Sequence, residues 1–173
     1  MSSLFGIDRN RTVCFRGNTL HRFPFSLTDK ENPCYLNLLS EINNAILYTL
    51  KAGYRYFLCS MEQGFDLLCA KIFLDIRKEH QRFRKAVLIS VLPHGSCKHY
   101  ASWSKMYKSV IKKAGKIVKA MQLDTEHSYF LCNLYMIENA KYLICYSDGR
   151  ERTTKRILEI AKSKNLIIDN LAQ

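Results

Sequence analysis

The sequence predicts an α/β fold: a three-layer sandwich with a mostly parallel sheet of about five to six strands and helices on both faces. Short β-rich runs alternate with amphipathic helical patterns about five times along the 173 residues. The run at 87–91, Val-Leu-Ile-Ser-Val, is almost wholly apolar. That pattern is typical of a parallel strand that is covered on both sides.

Each strand is predicted from a β-rich run, mostly bounded by turn residues. The runs lie at 12–15, 54–58, 86–92, 117–118, 142–146 and 166–168. Each helix is predicted from apolar residues three or four positions apart. The helical patterns cover about 35–52, 64–78, 103–114, 128–140 and 154–164. With no repeat or linker between these elements, we expect one domain over 1–173, with a short N-terminal extension at 1–11.

Composition narrows the class of protein. A hydrophobic fraction of 47% and a charged fraction of 24% are typical of a folded globular chain. No apolar run approaches the roughly 18 residues that span a bilayer, and no apolar leader follows Met1. The seven cysteines lie mostly in apolar runs without a Cys-x-x-Cys pair. We therefore expect a cytoplasmic protein with no membrane segment, no metal and no cofactor.

The charge balance favours anionic partners. The formal net charge is +12, and the segment from Lys98 to Lys119 holds seven lysines and no acid. A solvated helix face explains the same pattern without a partner. Trp103 and Tyr107 lie at helical spacing within this segment, so core packing explains them better than base stacking.

The loops that follow the strands are the expected ligand sites, because ligands of such folds bind where the strand order reverses. Residues 59–66 join a strand to a helix, whose free N–H groups favour an anion. Asp66 has a second interpretation, as an acid that offsets the helix dipole. Residues 147–154 place several cations at a helix start, which is unfavourable without a compensating anion. Two explanations of these cations remain open: they bind the phosphate of a ligand, or they are simply solvated at the surface.

Catalytic groupings are scarce. His94 and Glu62 follow different strands and form an acid–base pair only if the fold brings them together. Cys59 and Ser60 become nucleophiles only beside a base.

The loop motifs resemble those of the SLOG superfamily, the Rossmann-like fold of the DprA and LOG proteins, and most of all its YpsA-like branch. The resemblance runs over about 12–171. Residues 59–66, Cys-Ser-Met-Glu-Gln-Gly-Phe-Asp, keep the glycine and aspartate of the family's Ser-Gly-x-Ala-x-Gly-x-Asp. Residues 132–138, Cys-Asn-Leu-Tyr-Met-Ile-Glu, match Arg-Asn-x-Tyr-Met-Val-Asp. Residues 15–19 keep only the glycine of Thr-Gly-His-Arg, and Pro93 matches the proline that ends the third strand.

The departures from the family lie in the glycine loops. The family's Tyr-Asp-Gly-x-x-Gly-Gly-Thr reads Ser-Asp-Gly-Arg-Glu-Arg-Thr-Thr at 147–154, so Arg152 and Thr153 replace two glycines. The Pro-Gly-Gly-x-Gly-Thr-x-x-Glu run of LOG glycosidases is missing. The resemblance thus implies a nucleotide-binding protein, in some relatives a sensor or effector of stress and phage defence.

The sequence-based hypothesis is a protein that binds a nucleotide or nucleotide-derived signalling ligand at the carboxyl ends of the strands, as a sensor or a sequestering anti-defence protein without robust catalysis. We expect a homodimer or higher oligomer, as in relatives. The alternatives are a nucleotide N-glycosidase or phosphoribohydrolase, with Glu62 or Asp66 as the acid, and a single-stranded nucleic-acid-binding protein that uses the basic face from Lys98 to Lys119. The predicted ligand-binding residues are Arg16, Gly17, Asn18, Ser60, Met61, Glu62, Gly64, Asp66, His94, Asn133, Asp148, Gly149, Arg150, Arg152, Thr153 and Thr154.

Overall fold

A computed structural model describes residues 6–93, 101–119 and 128–172. Its strands are β1 (Thr12–Gly17), β2 (Tyr56–Cys59), β3 (Val87–Leu92), β4 (Lys116–Lys119), β5 (Tyr142–Tyr146) and β6 (Ile167–Asn170). Its helices are α1 (Pro33–Lys51), α2 (Phe65–Glu79), α3 (Ala101–Lys113), α4 (Ser128–Asn139) and α5 (Arg152–Ser163). All strand pairs are parallel, in the order β4-β3-β2-β1-β5-β6. The predicted α/β fold class is confirmed.

The predicted elements are present, and their ends differ by a few residues. The prediction ended β1 at Phe15, but the strand continues to Gly17, which pairs with Tyr146 of β5. Similarly, α5 begins at Arg152, two residues before the predicted start. Both extensions lie at the carboxyl edge of the sheet, where side chains of the loops form hydrogen bonds that the local sequence does not encode.

Two apolar layers cover the sheet. Val13 and Phe15 of β1 face a core shared with α1, α2 and α3, and Cys14 faces the core shared with α4 and α5. Trp103 is buried in the first core and Tyr107 packs against it, as helical spacing predicted. Among the described helices, none combines the length and apolarity that a membrane crossing requires.

The strand order reverses between β1 and β5. From β1 the chain adds β2, β3 and β4 on one side, then returns to place β5 and β6 on the other. The connections that leave β1 and β5 therefore diverge at the carboxyl edge, and the region between them, which we call the crevice, is where open parallel sheets bind ligands. Residues 17–19 and 147–151 border this crevice.

Gly17 and Gly64 allow the loops above β1 and β2 to pack closely. A Cβ atom on Gly17 would lie 2.4 Å from the Phe65 ring. Gly64 has a φ of 120°, and a Cβ atom there would lie 2.7 Å from the backbone nitrogen of Leu20. Because Thr19 and Gly64 also form a β-bridge, this contact fixes the post-β1 loop against the start of α2.

We predict that Gly64→Ala destabilises the fold more than Gly149→Ala does. Both glycines have positive φ, so each substitution adds backbone strain of about 1–2 kcal/mol. Only Gly64 also meets backbone atoms, which adds about 1–3 kcal/mol of overpacking, whereas nothing lies within 4 Å of a Cβ atom at Gly149. Chemical denaturation of both variants checks this, and equal losses would contradict the close packing at Gly64.

Candidate functional site

A buried arginine lies at the centre of the carboxyl edge. Arg16 is 2% exposed and pairs with the carboxylates of Glu62 and Glu151, the second at 3.1 Å, while Asp66 lies 4.0 Å away. Burial alone lowers the pKa of Arg16, but the carboxylates of Asp66, Glu62 and Glu151 outweigh this and raise it. Arg16 therefore stays charged and joins β1 to the loops above β2 and β5.

Asp66 is a buried carboxyl with two donors. It accepts hydrogen bonds from the Gly17 backbone N–H at 2.9 Å and from the Ser60 hydroxyl at 2.7 Å. Burial raises its pKa to about 7 and Glu62 adds to the rise, against the lowering effect of Arg16. Through these two hydrogen bonds, Asp66 connects β1 with the loop before α2. Its role is therefore larger than offsetting the dipole of α2, the second interpretation that the sequence allowed.

Two hydrogen bonds join the loops across the crevice between β1 and β5. The Asn18 amide nitrogen donates to Asp148 Oδ1 at 2.9 Å, and the Thr19 backbone N–H donates to Glu151 Oε2 at 2.8 Å. Asn18 is 1% exposed, and its Oδ1 atom has no hydrogen-bond partner. An unsatisfied buried carbonyl costs free energy, and a donor on an ordered water or on a ligand would remove that cost.

The structure brings together many of the predicted residues. Hydrogen bonds connect Arg16, Gly17, Ser60, Glu62, Asp66 and Thr154 into one cluster, and Asn18 and Asp148 form a pair beside it. Gly64 and Met61 lie in the loop that supplies Glu62, and Met61 is fully buried with a φ of 63°.

The other predicted residues lie elsewhere or are solvent-facing. Asn133 is buried on α4, where its amide nitrogen donates to the Tyr129 carbonyl oxygen at 2.8 Å and its Oδ1 has no partner. Arg150 is exposed and pairs with Asp148 at 3.1 Å. Three further residues are exposed, namely Gly149, Arg152 and Thr153. His94 lies outside the described residues, so the possible His94–Glu62 pair does too.

Glu151 is the site residue that the sequence analysis missed. It precedes the first residue of α5, and its two carboxylate oxygens bind Arg16 and the Thr19 N–H. The sequence does indicate a role for Glu151, because an acid directly before a helix start lies where negative charge is favourable. Arg150 and Arg152 lie on either side of Glu151, so the segment as a whole has a cationic pattern.

The possible nucleophiles are fully buried, although Ser60 lies beside the Asp66 carboxyl, which could act as a base. Cys59 is fully buried, its thiol donates to the Asp66 carbonyl oxygen at 3.2 Å, and burial raises its pKa well above the usual value. The Ser60 hydroxyl donates to the buried Asp66 carboxyl. Neither group has the exposed, ionised character of a reactive nucleophile.

The side chains that surround Arg16 offer hydrogen-bond acceptors to the crevice. Glu62 and Glu151 have side chains that are 20% and 12% exposed, and Arg16 between them is already paired with both. In the described ranges, no group of three acidic, histidine or cysteine side chains is arranged to hold a metal ion. A ligand with hydroxyl or N–H donors fits these acceptors better than a bare anion does.

A parallel sheet with a polar crevice where the strand order reverses defines the class of Rossmann-like ligand-binding domains. A family model described as the YspA SLOG family matches residues 21–168. The chain belongs to this family, as the loop motifs had indicated. The matched range starts after β1, so Arg16, Gly17 and Asn18 lie just before it. A comparison with curated protein sequences finds none that matches.

Among solved structures, the chain is similar to DNA processing protein A (DprA) from Streptococcus pneumoniae, with a TM-score of 0.58 and 9% sequence identity. The match covers 93% of this chain and 50% of that one, so the chain spans about half the length of this relative. At this identity the likeness shows the fold alone. Family membership supports a role that involves nucleotides or nucleic acid.

We predict that Asp66 makes the fold less stable as the pH rises. Its pKa is about 7 in the folded protein, against 3.8 for an unperturbed aspartate, so the native state binds this proton more tightly. Stability from this group is therefore fully present below about pH 4 and is lost as the pH rises through about 7. The free energy of unfolding should fall by about 1–2 kcal/mol more between about pH 5.5 and 7.5 in the wild type than in Asp66→Asn.

Urea unfolding at both pH values measures this difference, and the comparison with Asp66→Asn removes the contributions of other titrating groups. Asparagine retains an oxygen for the Gly17 N–H and an amide for the Ser60 hydroxyl. An equal loss in the two proteins would show that Asp66 titrates as an ordinary carboxyl.

Proposed function

We propose that this protein binds a nucleotide or nucleotide-derived signalling ligand in the crevice between β1 and β5, as a sensor or sequestering protein without robust catalysis. The observation that carries the proposal is the Asn18 side chain, which is buried at the crevice with an unpartnered Oδ1 atom. Membership of the YspA SLOG family supports the class of ligand.

The parts of a nucleotide correspond to different groups of the crevice. Ribose hydroxyls donate hydrogen bonds, and the partly exposed carboxylates of Glu62 and Glu151 accept them. The first turn of α5 supplies unsatisfied backbone N–H groups for a phosphate, and Arg152 is exposed at its first position. Arg16 holds the carboxylates in place, because its own charge is paired with them.

The absence of robust catalysis is inferred from the state of the acidic groups. Glu62 is paired with Arg16, and Asp66 is buried under hydrogen bonds from Gly17 and Ser60. Neither is positioned as an isolated acid beside an open substrate site. We expect no release of base from the common nucleoside monophosphates at the turnover of roughly 1–1000 per second that is typical of enzymes.

Two further parts of the proposal concern the state of the protein in the cell. We expect it to reside in the cytoplasm, where buried thiols such as Cys59 and Cys69 stay reduced. We also expect a homodimer or higher oligomer, and light scattering at micromolar concentration measures this directly.

Native mass spectrometry of the protein purified from cells tests the proposed function. We expect a bound mass that matches a nucleotide or a nucleotide derivative. Calorimetry with the four common ribonucleotides in mono- and diphosphate form provides the second arm. A protein that carries no such mass and binds none of these probes would overturn the proposal.

We predict that Arg152→Ala weakens binding of the nucleotide by about 10- to 150-fold, because a charge-assisted contact to phosphate contributes roughly 1.5–3 kcal/mol. Fold stability should stay the same or rise slightly, since a cation at the start of α5 opposes the helix dipole. Lys155→Ala is the matched control, because Lys155 is exposed in the same helix. Equal affinities of the wild type and Arg152→Ala would show that Arg152 does not contact the phosphate.

A further inference from the structure

An apolar pocket opens at the carboxyl edge of the sheet, on the face that α1 covers. Its volume of about 510 Å³ lies in the range of sites that bind small molecules. Four chain segments form its walls: the loop after β1, the start of α1, the end of β5 and the residue after β6. We call it the aromatic pocket, and its main lining residues are Pro24, Phe25, Cys34, Asn37, Tyr146 and Leu171.

A ligand can reach most of the aromatic pocket's lining. Five of these six residues are exposed or half-buried, and only Tyr146, at 8% exposed, is buried. The accessible surface is mainly aromatic and aliphatic, and the Asn37 amide adds one group that both donates and accepts hydrogen bonds. The pocket therefore suits a molecule with apolar faces and a polar edge.

Two aromatic rings form a corner in the pocket. The rings of Phe25 and Tyr146 are perpendicular, with centroids 6.5 Å apart. Phe23 packs against Tyr146 at 4.6 Å, which fixes the Tyr146 ring from another side. A planar group that stacks on Phe25 would meet Tyr146 edge to face, and both arrangements are favourable between aromatic systems. The corner therefore favours one flat ring system.

Tyr146 lies between the aromatic pocket and the crevice. It pairs with Gly17 in the sheet, and its carbonyl oxygen accepts the Asn18 backbone N–H at 3.1 Å. Burial raises the pKa of Tyr146, and Asp148 and Cys34 add to the rise. The tyrosine thus has a residue of the crevice and a residue of the pocket as neighbours.

Asn18 also joins the two regions. Its amide nitrogen donates both to Asp148 at 2.9 Å and to the carbonyl oxygen of Arg22 at 3.2 Å, directly before the segment 23–25 that forms one wall of the pocket. On another wall, the Asn170 side chain exchanges two hydrogen bonds with the Ser147 backbone, which holds the residue after β6 against the loop after β5. The pocket therefore continues into the crevice.

We propose that the aromatic pocket binds the base of the nucleotide ligand. This assignment rests on the proposed function, because it gives a place to one part of that ligand. A base is planar, its faces stack on aromatic side chains and its edge forms hydrogen bonds, which matches Phe25 and the Asn37 amide. Since α1 and α5 cover opposite faces of the sheet, the bound nucleotide would cross the carboxyl edge, with its base beside α1 and its phosphate at the start of α5.

Cys34 reports directly on the occupancy of the pocket. It is a free, exposed cysteine in the pocket wall, so its alkylation by iodoacetamide can be followed by peptide mass spectrometry. The probe is the tightest-binding of the four common ribonucleotides in mono- or diphosphate form. At about ten times its Kd roughly nine-tenths of the sites are filled, so the alkylation rate of Cys34 should fall about tenfold. Ribose 5-phosphate, which lacks the base, should leave the rate unchanged.

The possible outcomes separate this assignment from the proposed function. A nucleotide that binds in calorimetry but leaves the Cys34 rate unchanged would overturn the base pocket alone, as would equal protection by ribose 5-phosphate. If none of the ribonucleotides binds, the base pocket falls together with the calorimetric arm of the proposed function. Protection that grows with protein concentration in the absence of nucleotide would assign the pocket to contact between two copies of the chain and would also overturn the base pocket.

Phe25→Ala provides a second measurement. Loss of one base–aromatic stack should weaken nucleotide binding by roughly 5- to 150-fold. Phe25→Leu keeps an apolar side chain and removes only the ring, so it should weaken binding in the same direction. Leu36→Ala is the matched control, because Leu36 is an exposed apolar residue of α1 that does not line the pocket. Affinities of Phe25→Ala and Phe25→Leu equal to that of Leu36→Ala would overturn the proposal.

Discussion

The carboxyl edge of this sheet depends on one buried cation. Arg16 is almost fully enclosed at the end of the central strand β1, and an enclosed guanidinium is tolerated only when anions pair with it. Glu62 and Glu151 meet this need from the loops after β2 and β5, while Asp66, whose pKa is raised to about 7, lies 4.0 Å away on α2. Loss of one partner from such a buried group typically costs about 3–5 kcal/mol. The positions of three chain segments are thus coupled to the charge of one side chain.

The pairing of Arg16 with carboxylates determines which polar groups the crevice offers to a ligand. Because Arg16 is already paired, the partly exposed carboxylates beside it act as hydrogen-bond acceptors, and Asn18 adds an unpaired carbonyl oxygen. The surface of the chain has the opposite character, with a formal net charge of +12. Under the proposed function, the basic exterior draws anionic molecules towards the protein, and the acceptors of the crevice bind those that also carry donors. Nucleotides combine both features.

The fold could be predicted from the sequence because its strands and helices follow local rules. The apolar run at 87–91 and the helical spacing of Ile42, Ile46 and Leu50 depend only on neighbouring residues. The glycine and aspartate at 64 and 66 pointed to the loop that the structure joins to β1 and to the segment after it. The partners of Arg16 could not be predicted, because Glu62 and Glu151 lie 46 and 135 residues away and their pairing depends on the strand order. For the same reason the sequence suggested Arg16 as a ligand-binding residue and gave no sign that carboxylates pair with it.

The most direct test of the account is a map of the ligand site at residue level. In amide NMR spectra of the protein titrated with the nucleotide that copurifies, we expect the largest shifts at residues 17–19 and 148–154. The amides along α2 and α3 should change little. A ligand that shifts only the amides of α2 and α3, or that leaves both loops of the crevice unchanged at saturation, would contradict a nucleotide site between β1 and β5.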